Sequence, residues 1–464
     1  MKAKTDSPIS RLPAELLIEI FALCSLAASP DPYIPLTISK VCSFWREVLW
    51  ISPRAWQFIR VQDSDRSIAS IRSQIELWIA RSAPLPFDLH LELADTTRLL
   101  PIISCFFPHL DRWRNCTIAT EGNRVLTSFP NLIHSAPCRT LHRLDINVRG
   151  SDDIDDDEIL LYSCGSTAFR HISMRIFVPK LPLAHTMNPL HFTHLNIAEH
   201  SFEHTFEENL RSSELLDFLA ACPQLEHLHL QGTSFDEGSS PYQPTPRVVS
   251  LPRLQKLMLR CMCTQRSILS HLHTPALREL HLISINIDLM LSPYHATEEG
   301  DSDDEAHDFS QSPWSDHQTG MGLRKLLTRS NPPLEVLDMD LSDMRTKDFR
   351  WVFDKLENLK HFSIIGSDMS NKVIQFFKPM CLLEDGDGVN VRVRMPRLRT
   401  LKLYSCQQFS GEALVDALSK RILFTDKATP GSTLTEVVIS DCRGFTPRHA
   451  QDLSWSLRNR LHWS

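Results

Sequence analysis

Glycine is sparse in this chain, at 14 of 464 residues. There is no Gly-rich phosphate loop and no G-x-S-x-G nucleophile elbow, which removes two familiar sequence routes to nucleotide chemistry and to serine hydrolysis. Long apolar runs are also lacking. A membrane-spanning helix needs about 20 mostly apolar residues, and the most apolar N-terminal stretch is interrupted by Glu15 and Glu19. Nor is there a basic excess. Lys and Arg number 49 against 56 Asp and Glu, for a formal charge of −7, the reverse of the footprint of a nucleic-acid binder. Twelve cysteines are scattered without a C-x-x-C pair, and the opening Met1-Lys2-Ala3-Lys4-Thr5-Asp6 has no apolar signal core. These absences predict a soluble intracellular protein of the cytoplasm or nucleus, without disulfides, membrane or nucleic-acid partner.

Metal and catalytic patterns fall short on spacing. Asp153, Asp155 and Asp157 open like a calcium loop, but Glu158 stands where the turn needs glycine and Cys164 where the closing glutamate belongs. Asp385-Gly386-Asp387-Gly388 is followed by Val389 at the next ligand position and reads as a turn. His200 and His204 share the spacing of one helix face, yet no glutamate follows His200 and no third ligand is evident. No catalytic residue, metal site or cofactor is assigned.

What is present begins with helical periodicity. Leu12, Leu16, Leu17, Ile20, Phe21 and Cys24 fall at helical spacing, with Pro13 suited to the first turn. After a proline-rich break at Pro30, Pro32 and Pro35, a second stripe runs through Ile38, Val41, Cys42, Trp45, Val48 and Leu49 and stops at Ser52-Pro53. A third short element carries Trp56 and Ile59. Elements this short bury little surface alone, so they are expected to pack together and to leave apolar area for a partner. Periodicity by itself equally allows an ordinary helical hairpin in which every Trp and Leu is internal.

The ordered set Leu12-Pro13-Ala14-Glu15, Ile20-Phe21, Val41-Cys42-Ser43-Phe44-Trp45 and Trp56 resembles the F-box over roughly residues 9 to 60. The chain departs from that pattern at Ala55, where a leucine usually precedes the closing Trp, and in a lengthened first connection from Ser25 to Leu36. The resemblance implies that Leu12, Pro13, Leu16, Leu17, Ile20, Val41, Cys42, Trp45 and Trp56 serve the small core and the contact with a Skp-type adaptor, which bridges to a cullin.

Beyond residue 136 the pattern apolar-x-x-apolar-x-apolar recurs from Leu141, Phe169, Phe192, Leu225, Leu254, Leu277, Leu334, Leu359, Leu398 and Leu434. Five of these ten are preceded at minus two by proline (Pro223, Pro252, Pro275, Pro332, Pro396), which points to a repeated entry into a short strand. Cys406 and Cys442 follow the last two patterns at the same offset, each continued by a Phe and a hydroxyl residue. These units are similar to the cysteine-containing class of leucine-rich repeats, in the degenerate form found in F-box proteins expanded in fungi. The stretches Trp78 to Ser82 and His109 to Arg114 resemble that family's connecting segment.

The expected fold is therefore α/β. A disordered tail at 1–8 precedes an all-helical F-box at 9–60, then a connecting segment with the first degenerate repeats at 61–136. A curved leucine-rich-repeat-like solenoid follows at 137–464, interrupted by a disordered acidic insertion at 293–322. Within that insertion Ser302, followed by Asp303, Asp304 and Glu305, resembles an acidic-directed phosphorylation site. By two-residue alternation the neighbours of the inner repeat residues face outward. This places His194, His227, His229, Lys256 and Arg260 on a basic, pH-responsive face expected to bind a protein target. The expected function is that of a non-enzymatic substrate receptor of a Skp-cullin-F-box ubiquitin ligase. A repeat scaffold acting outside any ligase is the alternative.

Overall fold

A computed structural model of the chain describes residues 9, 12–26, 31, 33–62, 66–93, 98–121, 140–149, 159–160, 170–176, 179–180, 190–199, 212–232, 248–260, 265–283, 319–340, 344, 346–366, 369–383, 389–428 and 433–464. The fold is mixed α/β, and its contacts divide the chain into two compact units, 1–182 with 190–194 and 183–189 with 195–464.

The first unit starts with helices α1 (Ala14–Leu26), α2 (Ile34–Ser39) and α3 (Ser43–Trp50) and a 3-10 turn at Pro53–Trp56. The second apolar stripe, expected as one continuous element, is split. Cys42 has extended backbone and caps α3 by accepting the Trp45 N–H at 3.4 Å on its Sγ, so Val41 lies between two helices. Pro35 does not break structure; it sits in the first turn of α2, where its missing N–H costs nothing. Trp56 closes the layer by donating its indole N–H to Leu49 O at 3.0 Å and meeting Trp78 edge-on at 5.1 Å.

Trp78 belongs to α4 (Ile68–Ser82), which lies between the parallel strands β1 (Phe58–Gln62) and β2 (Phe87–Leu93). Helix α5 (Leu99–Ile103) follows β2, and strands β3 (Trp113–Glu121), β4 (Arg143–Arg149) and β5 (His171–Ile176) extend the pairing, all parallel. The stretch 61–136, expected to hold a connecting segment and the first degenerate repeats, contributes the ladder strands β2 and β3. Arg112 ties its two halves together, donating to Ile79 O, Ser82 Oγ and Leu85 O at 3.2, 2.7 and 3.0 Å.

Strand β6 (His194–Glu199) follows. In the second unit β7 (His227–Gln231), β8 (Lys256–Arg260), β9 (Glu279–Ile283), β10 (Val336–Asp340), β11 (His361–Ile365), β12 (Thr400–Tyr404), β13 (Glu436–Ser440) and β14 (Leu461–Trp463) pair in chain order, every pair parallel. Parallel neighbours need a crossover, and here α6 (Ser212–Ala220), α7 (Gln265–His271), α8 (Thr319–Ser330), α9 (Thr346–Lys355), α11 (Gly411–Ala428) and α12 (Pro447–Leu457) supply most of it, with the shorter α10 (Asn371–Gln375) between β11 and β12. All ten sequence repeats begin two residues before a strand, β4 through β13. Inner residues such as Leu228, Leu230, Leu257, Leu259, Leu337 and Met339 are buried, and their neighbours are not.

Two boundaries differ from expectation, the first where strand β1 begins at Phe58, inside the stretch expected to be all-helical to residue 60. The insertion assigned to 293–322 overlaps α8, whose Thr319, Gly320 and Gly322 are buried. A Cβ on Gly320 would come within 2.7 Å of the Asp348 carboxyl, so this glycine serves close packing rather than disorder. The rest of the insertion, Ser302 included, lies outside the described residues, as do His200, His204, the aspartates 153, 155 and 157, and the turn 385–388. Among the described residues, no helix is long and apolar enough to cross a membrane.

Candidate functional site

Helix α1 reads Ala-Glu-Leu-Leu-Ile-Glu-Ile-Phe-Ala-Leu-Cys-Ser-Leu, apolar nearly all round. A helix of that kind is buried on every side or is waiting for a second surface. In the first unit only one side is filled. Leu17 and Phe21, one turn apart, are 0% and 1% exposed, and Phe21 meets the Trp45 ring at 5.1 Å. Leu16, Ile20 and Leu23 repeat the same spacing on another side and remain 51%, 42% and 65% exposed. Val41, at 61%, and Phe44 are exposed too.

The residues named from sequence therefore part company. Pro13, Leu16, Ile20, Val41 and Cys42 are exposed; Leu12 and Trp45 are half-buried; Leu17 and Trp56 are core. Leu17 and Trp56 shape the surface from behind and do not face solvent themselves. The sequence reading passed over Leu23, Leu26, Phe44, Trp50 and Ile51, all exposed. Leu23 was recoverable, because it continues the Leu16 and Ile20 spacing by one more turn. Trp50 was not, since its partner is distant in sequence: the Arg81 guanidinium lies 4.4 Å from its ring centroid.

The strand face differs from the expected basic patch. His194 falls in the first unit, where its ring lies 5.4 Å from that of His171, whereas His227, His229, Lys256 and Arg260 belong to the second. Register sets Lys256 between His227 and Glu279, and Arg260 opposite Gln231. Lys256 is neutralised in place: its Nζ sits 2.8 Å from Glu279 Oε2. Glu279 also reaches His281 Nε2 at 3.4 Å, and His281 Nδ1 lies 2.7 Å from Asp338 Oδ2. The Lys256 ammonium, hydrogen-bonded to Glu279, is the main influence holding that carboxyl below the usual carboxylate range, against the opposing effect of burial. The result is a row of mutually paired polar groups across β8, β9 and β10. Arg260 is exposed at its end.

Cys406 and Cys442 are buried, each Sγ beside backbone carbonyls of its own and the preceding strand. They fill core positions. Among the described residues no group of three His, Cys, Asp or Glu is placed to hold a metal ion. No protein-family model and no curated protein matches this chain.

Proposed function

We propose that the chain is a substrate receptor of a Skp-cullin-F-box ubiquitin ligase, docking a Skp-type adaptor on its N-terminal helices and a protein target on a curved, leucine-rich-repeat-like solenoid. The observation that carries this reading is the outward stripe Leu16, Ile20 and Leu23, with Val41 and Phe44 exposed as well, on helices whose inner side is already filled by Leu17, Phe21 and Trp56. Fully burying a large apolar side chain is worth about 1.5–3 kcal/mol. Five that are roughly half-exposed offer a partner enough to form the centre of an interface. The motif order Leu12-Pro13, Ile20-Phe21, Val41-Cys42 and Trp45 names the kind of partner by resemblance. The chain's part in the reaction is proximity and orientation: it brings a target lysine to a ubiquitin-loaded enzyme held elsewhere in the complex, and supplies no nucleophile or acid itself.

The test is co-purification with a Skp-type adaptor and a cullin. Pro13→Ala with Leu16→Ala should reduce adaptor capture more than tenfold while leaving the melting transition in place, and Leu16→Asp should abolish capture. Undiminished capture by a folded Leu16→Asp variant overturns the F-box assignment. Capture of the adaptor without cullin would instead assign the chain to a scaffold outside the ligase.

A further inference from the structure

Where α8 packs against α9, a groove of about 510 Å³ is lined by Met321, Arg324, Lys325, Thr328, Arg329 and Trp351. Met321, Arg324, Lys325, Thr328 and Arg329 recur at helical spacing along one side of α8, opposite the buried Leu323, Leu326 and Leu327. Three of the six lining side chains are basic and none is acidic. The two helices together carry six basic and two acidic residues, in a chain whose formal charge is −7. Both acids are engaged. Asp348, nearly buried, faces Arg324 at 3.3 Å, and Asp354 binds Arg394 at 2.6 Å.

The cations are also held in position. The Arg324 guanidinium lies 5.4 Å from the Trp351 ring centroid, and Lys355 Nζ lies 5.9 Å from it. Arg329 donates to Leu272 O at 2.9 Å. Guanidinium groups ordered before binding lose less entropy when an anion arrives, and their fork geometry suits carboxylate and phosphate oxygens. Trp351 adds an apolar floor. Twelve helical residues span roughly 18 Å, the reach of about five extended peptide residues.

We infer that this groove docks a short acidic segment of a partner protein, its carboxylates on Lys325 and Arg329 beside the Asp348-paired Arg324, and an apolar residue against Trp351. The surface lies in the second unit and does not depend on the F-box reading, so adaptor capture should be unaffected by the variants below.

The experiment is fluorescence anisotropy on the full chain with a labelled heptapeptide, one leucine between two runs of three glutamates. Lys325→Glu with Thr328→Glu should weaken binding at least tenfold, because both positions are exposed and their replacement adds like charge without disturbing the packed side. Trp351→Ala should weaken it about threefold, and raising the salt should weaken the wild type. Equal binding by wild type and the folded double variant overturns the inference. So does a thymidine hexanucleotide that binds as tightly as the peptide, which would make the groove a general polyanion surface. Removal of residues 297–308, seven of which are Asp or Glu, supplies the last arm. Unchanged affinity supports a partner's segment, whereas a tenfold gain would assign the groove to the chain's own acidic stretch.

Discussion

Two outward-facing surfaces of this molecule treat water in opposite ways. On α1, Leu16, Ile20 and Leu23 stand open while the adjacent Leu17 and Phe21 are sealed. On β8, β9 and β10, Lys256, Glu279, His281 and Asp338 also face away from the core, yet each already has a partner of complementary character on its own or a neighbouring strand. A surface that satisfies its groups internally gains little from a visitor. One that leaves apolar area uncovered gains from any complementary lid. The difference ranks the helices above the middle of the strand face as a place of tight association, although histidine and lysine drew the eye to the strands first.

The sharpest way to break this comparison is a pair of neighbours. Leu17→Ala should cost about 3 kcal/mol, within the range for a buried leucine, whereas Leu16→Ala should stay within about 0.5 kcal/mol. Urea unfolding of the two variants measures both. Equal losses would mean that Leu16 is structural and the open stripe an illusion. Next in size is Asp338→Ala, which removes the acceptor of His281, a ring only 8% exposed. Stranding that buried nitrogen should cost about 1–2 kcal/mol, read from the same unfolding curves. A neutral result would show that the strand face is no better satisfied than the helix face.

The smallest effect concerns Lys256→Met. Folding lowers the Glu279 pKa below its ordinary value of 4.5, so the contribution of the pair is complete above that value and fades as pH falls through the lower folded one. The groups are partly exposed, so solvent screening leaves only about 0.5 kcal/mol between wild type and variant at neutral pH. Thermal midpoints recorded from pH 7 down to pH 3 should converge at the acid end. A gap that persists below both pKa values would trace to packing rather than charge.

The repeat strands were legible because their signal is local: an apolar-x-x-apolar-x-apolar run needs nothing outside itself, and all ten starts lie two residues before a strand. β1 and β3 carry the same run, as Trp56-x-x-Ile59-x-Val61 and Trp113-x-x-Cys116-x-Ile118, but Trp56 also closes the helical motif and so hid the strand that follows it. β2 is legible by alternation in Phe87, Leu89, Leu91 and Leu93, although Pro86 stands where its run would open on a large apolar residue. Turn geometry was hidden as well. Gly366, Ser405 and Asp441 occupy the position just after three strands, β11, β12 and β13, all with positive φ of 62°, 51° and 52°, and only the first is a glycine that announces it. The outward stripe was half legible. Spacing gave the helix, but whether Leu16 or Leu17 faces inward is decided by Phe21, Trp45 and Trp56, which converge only in three dimensions. The charge pairing of Lys256 needed the register of β8 against β9, and no periodicity within one strand contains it.

One row of backbone bonds in the second unit pins the entrance of each strand. The amides of Gln255, Arg278, Glu335, Lys360, Arg399 and Thr435, each the residue before a strand, donate in turn to the carbonyls of Glu226, Gln255, Arg278, Glu335, Lys360 and Arg399, every bond 2.8 Å long. At the far ends of the strands the direction reverses: the Gly366 and Ser405 amides donate forward to Tyr404 O and Ser440 O at 2.8 and 2.9 Å. The two directions oppose each other, so the ladder carries little net dipole. What the entrance row supplies is alignment: each strand starts level with the one before it, which keeps the sequence pattern at a constant offset from its strand.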